Sequence, residues 1–347
     1  FFADIKETGL VPDRGPKAWG ALLDLSTDED RARRAPLAAA VDSAKKNVNA
    51  RRAKVKRDEK ALLASYEKGA LAWTYQRPVA ATASKATLKI YNDQPAPANI
   101  GEAVGEPKPG DGLIVASGAN PDNETYTVTL QPGAGKWMQL GLQAMQDESL
   151  LGLRIARGGD RLMVSEVEAE LLPEGRKLRF ATAASSIRIQ SPDQNPMNAI
   201  DGNAKTGWGA STYGDAPISS LALRFDAPVL TTAESKIVVR IRHDSEYRKA
   251  TIGRLRLALS AGLAMPVSEQ RSAKTPTGLA AATVAALKKP KAKRNGDDKQ
   301  LIDAALDWTS PAIEETLPAL KRAEAALGAV EMSAPRVMVT ESIKPEP

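Results

Sequence analysis

The chain has 347 residues and a formal charge of +6; hydrophobic residues make up 42% but aromatics only 4%, and cysteine is missing altogether. The length allows more than one packed unit, while the lack of cysteine excludes disulfides, thiolate metal sites, cysteine nucleophiles and covalent haem attachment in this chain. The positive excess would suit an acidic partner but is modest for this length and decides nothing alone; nucleic acid is not the expected partner, because the lysine-rich tract at 288–294 lacks interleaved aromatics, and no apolar run approaches the roughly 18 residues of a membrane span.

The chain opens F-F-A-D-I-K-E, with neither methionine nor a signal-peptide pattern, and reads as an internal piece of something longer. Ser26-Thr27-Asp28-Glu29 has the S-x-x-E form of a capping box and starts a helical stretch to about Lys68, with a break expected at Pro36. Its apolar positions Val41, Ala44, Val48, Val55, Leu62 and Tyr66 make a thin stripe. That pattern predicts a helical hairpin or coiled coil over 26–70. The positive bias between Lys45 and Lys60 reads as a solvated face, with a surface for an acidic partner as the alternative.

From residue 71 the pattern changes to period two. Residues 125–130, 137–142, 162–171, 221–225, 236–242 and 254–259 alternate as half-buried strands, and the connections between them are rich in turn formers. The expected fold is mainly β with helical arms: an antiparallel sandwich, divided into halves or subdomains at 71–172 and 173–263. Residues 264–296 read as a linker, in which K-K-P-K-A-K-R at 288–294 is a flexible solvated loop rather than a phosphate-binding tract. Residues 297–347 begin a further helical domain, with one helix over 298–308 and a second from Ser310-Pro311 to about Gly328.

Catalytic patterns are sparse. Gly133-Ala134-Gly135-Lys136 lacks the first glycine and the Ser or Thr of a phosphate loop and reads as a hairpin turn. His243 is the single histidine, is expected at the surface or in a turn, and cannot by itself build a multi-histidine metal site. No G-x-S-x-G elbow occurs, and no carboxylate pair is spaced to assign acid and base roles. The expectation is a protein that is not an enzyme.

Residues 199–208, A-I-D-G-N-A-K-T-G-W, resemble the A-x-D-G-N-x-x-T-x-W signature of discoidin-like, galactose-binding-like jelly-roll sandwiches, a group that includes many carbohydrate-binding modules. Asp201, Asn203 and Thr206 could offer oxygens to a hard cation such as calcium, with Gly202 permitting the bend. The resemblance adds a strand glutamate, matched here by Glu166, which comes before the loop where ordinary discoidin domains have it after. Calcium is therefore a possible cofactor held by Asp201, Asn203, Thr206 and Glu166, and a glycan is a possible partner. Trp208, Tyr213 and Asp215 are the ligand-binding candidates, and Tyr126 and Trp137 are further aromatic platforms.

A wider resemblance rests on the opening F-F-A-D-I-K-E, residues 116–128 (A-S-G-A-N-P-D-N-E-T-Y-T-V), the 199–208 loop, residues 252–260 (I-G-R-L-R-L-A-L-S) and the late P-R-V-M-V. Together these are similar to the middle of planctomycete cytochrome C domain-containing proteins, between their two large conserved domains of unknown function. The resemblance implies an extracytoplasmic location, haem elsewhere in the parent protein but none in this chain, residues 1–25 as the tail of a preceding domain, and flanking domains as partners. The expected function is a non-catalytic β-sandwich module that binds a glycan or another surface ligand; the alternatives are a structural spacer that positions flanking domains, and polyanion binding through Lys45 to Lys60 and Lys288 to Arg294. Ligand binding predicts an exposed aromatic beside the 201–215 loop; a spacer predicts that Trp208 and Tyr213 are buried.

Overall fold

The computed structural model describes residues 22–95, 111–146, 150, 155–158, 161–187, 194–211, 218–268, 277–333 and 336–338. After β1 (Leu22–Asp24), helix α1 (Asp28–Lys54) runs for 27 residues, about 40 Å. Its cap lies one residue later than the sequence pattern suggests: Thr27 accepts from the Asp30 N–H and Asp30 answers the Thr27 N–H, closing a capping box. Pro36 does not break the helix. It is exposed and removes one rung, a local loss that the rest of the long ladder tolerates. The break comes at Val55, where the backbone turns extended, and Asp58 then caps α2 (Glu59–Glu67).

The predicted hairpin of α1 on α2 does not form. Val41, Ala44 and Val48 of α1 pack instead on Ile313, Leu317 and Leu320, from α5 (Pro311–Glu314) and α6 (Leu317–Ser333). Leu62 and Tyr66 of α2 join a different cluster with Leu279, Leu287, Ile302 and Leu306, from the chain around α3 (Ala281–Lys288) and α4 (Gly296–Thr309). The 264–296 stretch is therefore packed structure among its described residues: Ala264, Val267 and Leu279 are buried, and Met265 N–H donates to Gly278 O at 2.8 Å. Its lysine-rich run is tied down as well. Arg294 bonds Glu59 and the carbonyls of Leu287 and Lys289, and Lys289 bonds Asp298.

Two antiparallel sheets carry the centre. β3 (Ala80–Ala83), β6 (Glu124–Leu130), β9 (Glu166–Leu172), β10 (Arg176–Leu178) and β14 (Lys236–His243) form a five-stranded sheet in the order β10-β9-β14-β6-β3. The seven-stranded sheet contains β2 (Thr74–Tyr75), β4 (Ala86–Tyr91), β5 (Leu113–Gly118), β7 (Gly135–Met145), β11 (Phe180–Ser185), β13 (Ile218–Thr231) and β15 (Arg254–Ser260). Its order is β11-β13-β7-β15-β5-β4, with β2 paired to β15. Each sheet draws strands from both sides of residue 172, so the two expected halves interleave in one sandwich-like core. The Gly133 turn is accordingly no hairpin: β6 and β7 sit in different sheets, and the turn carries the chain across the core.

In the smaller sheet β6 alternates strictly, with Tyr126, Val128 and Leu130 inward and threonines outward. The centre of the larger sheet is buried on both faces, every residue of β15 included, while the edge strand β4 keeps Thr87 and Lys89 exposed. One face meets the small sheet; the other lies under the strap at 71–76, the 263–267 segment and the helices. Gly141 makes room for Trp73 there, since a Cβ would stand 3.1 Å from the indole ring.

Glu124, which the sequence does not single out, is 1% exposed and accepts from the backbone N–H groups of Ser84, Lys85, Ala86 and Thr125, fixing the β3–β4 turn. Removing a charged acceptor strands several donors at once. Glu124→Ala is expected to lower unfolding stability by about 3 kcal/mol or more, with Glu124→Gln losing less, as read by denaturant melts.

Candidate functional site

The glycine-rich loop follows a 3-10 turn at Pro196–Ile200 and leads into β12 (Trp208–Ser211), which pairs antiparallel with β8 (Arg161–Val164), Trp208 opposite Val164. The single strand expected over 162–171 divides at Ser165: β8 stays with β12, and β9 crosses to the five-stranded sheet. Ser165 is buried and its Oγ accepts from Asp244 N–H at 2.9 Å, which anchors the crossing. Glu166 therefore emerges beside the loop even though it precedes it in sequence. Its Oε2 accepts from Gly202 N–H at 2.9 Å.

The loop is knit by its own oxygens. Asp201 Oδ1 accepts from Asn203 N–H at 2.8 Å, Asp201 Oδ2 from the Thr206 hydroxyl at 2.8 Å, and Asn203 Oδ1 from Lys205 N–H at 3.2 Å. Gly202 holds φ +77°, the left-handed conformation that a side chain disfavours. Four residues named from sequence, Asp201, Asn203, Thr206 and Glu166, are thus brought into one hydrogen-bonded loop.

Partial burial, reinforced by the neighbouring charges of Asp201 and Glu168, pushes the Glu166 carboxyl up to about 7 against the pull of the Gly202 N–H and Arg242. Asp201 is raised as well, by desolvation that outweighs its bonds from Asn203 and Thr206, although the residue keeps solvent access. Two carboxylates that disfavour each other's charge, among neutral oxygens, suit a proton or a hard cation. Among the described residues no group of three or more His, Cys, Asp or Glu is placed to hold a metal. A cation here would rest on two carboxylates with amide, hydroxyl and carbonyl oxygens.

The ligand-binding candidates divide differently. Trp208 is fully buried, with its indole N–H on Ser185 Oγ at 3.0 Å, so it fills the core and offers no stacking surface. Tyr213 and Asp215 lie outside the described residues. Tyr126 is fully buried, donating to Ile252 O, and the half-buried Trp137 donates to Thr231 Oγ1. His243 is a correction too: it is 2% exposed, edge-on to Tyr126, and burial holds its imidazole down at about 4. The last residue of β14 faces inward by strand alternation, which a lone histidine beside a turn does not advertise.

Beside the loop a polar cleft of about 390 Å³ is lined by Asp122, Asn123, Lys205, Asp244, Ser245, Glu246 and Arg248, with no aromatic among them. Asp122 pairs with Arg248 and Asp244 with Arg242.

Glu166 gives the site a pH signature. Its folded pKa stands above the ordinary 4.5, so the folded chain holds this proton more tightly than the unfolded one. The contribution is full below pH 4.5 and is lost as the pH rises through 7. Melting temperature is expected to fall between these limits, and Glu166→Gln should flatten its share of the fall; an unchanged slope in the variant would place the proton elsewhere. Searches against protein-family models, curated proteins and solved structures returned no match for this chain.

Proposed function

We propose that the chain is a non-catalytic structural module that sets the segments before and after it side by side, within the large extracytoplasmic c-type cytochrome-containing protein that its family resemblance implies. One observation carries the reading. Leu22, Leu23 and Asp24 of β1 pair antiparallel with Met338, Val337 and Arg336 of β16 (Arg336–Met338), so the two ends of the described chain meet in one ladder. Helices α1 and α6, which adjoin these strands, pack together, and the buried Trp208 is what a spacer predicts. The polyanion reading loses support, because Lys288, Lys289, Lys291 and Arg294 pair with Glu67, Asp298 and Glu59.

A second reading, a galactose-binding-like jelly roll that binds a glycan, is supported by the polar cleft and by the oxygen-rich loop beside it. Calcium belongs to this reading. Asp201 and Glu166 would hold it with Asn203 and Thr206, and its charge would relieve the repulsion between the carboxylates.

Two measurements separate the readings. In a chain without cysteine, Leu23→Cys with Val337→Cys should form a disulfide under mild oxidation and raise the unfolding midpoint, by up to roughly 5 kcal/mol in the chain-entropy account. Persistent free thiols in the folded protein would remove the basis of the spacer proposal. Calorimetric titration with calcium, on the chain and on Asp201→Ala, tests the second: binding seen only in the unsubstituted chain supports an ion site, and no heat from either leaves the loop as a self-bonded turn.

A further inference from the structure

We infer that Arg224 and Gln139 form a buried oxyanion site on the helix-covered face of the larger sheet, a site that Glu314 fills only in part. The two residues are direct partners in the β13–β7 ladder, so both side chains leave the same face, and each is 0% exposed. The Arg224 guanidinium has five donor hydrogens. Its Nη2 donates to Trp308 O at 2.7 Å and its plane lies 4.6 Å from the Trp308 ring. Nη1 lies 3.2 Å from Glu314 Oε1, yet neither Nη1 nor Nε makes a hydrogen bond. Beside them, both polar atoms of the Gln139 amide are buried without a partner.

Unmet donors this deep destabilise a fold by about 1–3 kcal/mol each, more when charged. The local balance calls for negative charge. Desolvation lowers the Arg224 pKa to about 10, opposed only by Glu314. Glu314 reaches in from α5, a four-residue helix, and keeps 23% of its side chain exposed, so it stands at the edge of the site. Gln139's other ladder partner, Ser260, is already engaged by Gly262 N–H. One row along this face, a crevice of about 10 Å³ between Trp73, Gly141, Gln143, Ser220 and Val267 has room for roughly one water. Guanidinium and amide N–H donors together suit a carboxylate or a tetrahedral oxyanion.

The test uses the full chain at constant ionic strength, with chloride replaced in turn by acetate and phosphate, followed by calorimetry and thermal melts. Saturable oxyanion binding is expected in the unsubstituted chain, several-fold tighter in Glu314→Gln, where the competing carboxylate is gone, and at least ten-fold weaker in Gln139→Leu and Arg224→Met. A response to acetate alone marks a planar carboxylate site, and a response to both a general oxyanion site; either supports the inference. Identical behaviour in all three anions, for both the unsubstituted chain and Glu314→Gln, overturns it and assigns the unmet donors to water. Undiminished binding in Gln139→Leu overturns it equally, and that variant decides the matter if Arg224→Met does not fold.

Discussion

The central strands of the seven-stranded sheet have no face that can be left to water, and much of the molecule is arranged around that constraint. Its inner face buries Leu140, Leu142, Leu221, Leu223, Leu255, Leu257 and Leu259 in the core shared with the smaller sheet. Its outer face carries rows in which small and polar residues alternate, Ser220–Gln143–Arg256, Ala222–Gly141–Ala258 and Arg224–Gln139–Ser260. Such a face cannot be sealed by apolar contact alone. Cover comes from aromatic rings set against guanidinium planes, Trp308 on Arg224 and Tyr75 on Arg256, and from Trp73 laid over Gly141.

Because the cover must also hold itself together, the helices keep a core of their own around Leu62, Leu287, Ile302 and Leu306. That layer is joined to α1 by charge. Asp307, 6% exposed, receives both Arg52 and Arg57, and Arg57 also bonds Asp303, so one carboxylate ties the end of α1 and the turn after it to α4. Removing a partner from such a group leaves a buried charge uncompensated. The same logic holds Glu124 under its turn and makes the half-matched Arg224 conspicuous.

The glycine-studded loop belongs to this economy as much as to any ligand. Its aromatic residue, Trp208, is spent on the core, and the side-chain oxygens of Asp201 and Asn203 already accept bonds within the loop, Glu166 Oε2 accepts from Gly202, and the Thr206 hydroxyl donates to Asp201. What remains for chemistry is the tension between Glu166 and Asp201, two carboxyls raised by shared burial. β1 on β16 brings the two ends of the described chain into one ladder, and the polar cleft lies beside the loop oxygens.

Local periodicity was readable. The alternation at 125–130, 236–242 and 254–259, the stripe Val41-Ala44-Val48 and the helix near Asp298–Trp308 all correspond to elements, because side-chain direction repeats every 2 or about 3.6 residues whatever the partner. The loop residues Asp201, Asn203 and Thr206 stood out through the resemblance of 199–208 to the discoidin-like signature, and they are bonded within a few positions of one another. Which surface each stripe meets was not readable. That α1 joins α6 rather than α2, that strands from both sides of residue 172 interleave, and that Trp208 and His243 turn inward all depend on contacts between distant segments. A β face records that it will be buried, but not what will bury it. The sequence by itself determined the strands at 125–130, 236–242 and 254–259, the stripe of α1 and the oxygen-rich loop, whereas only the tertiary structure decided which polar groups, Glu124, Arg224 and Gln139 among them, would be sealed from water.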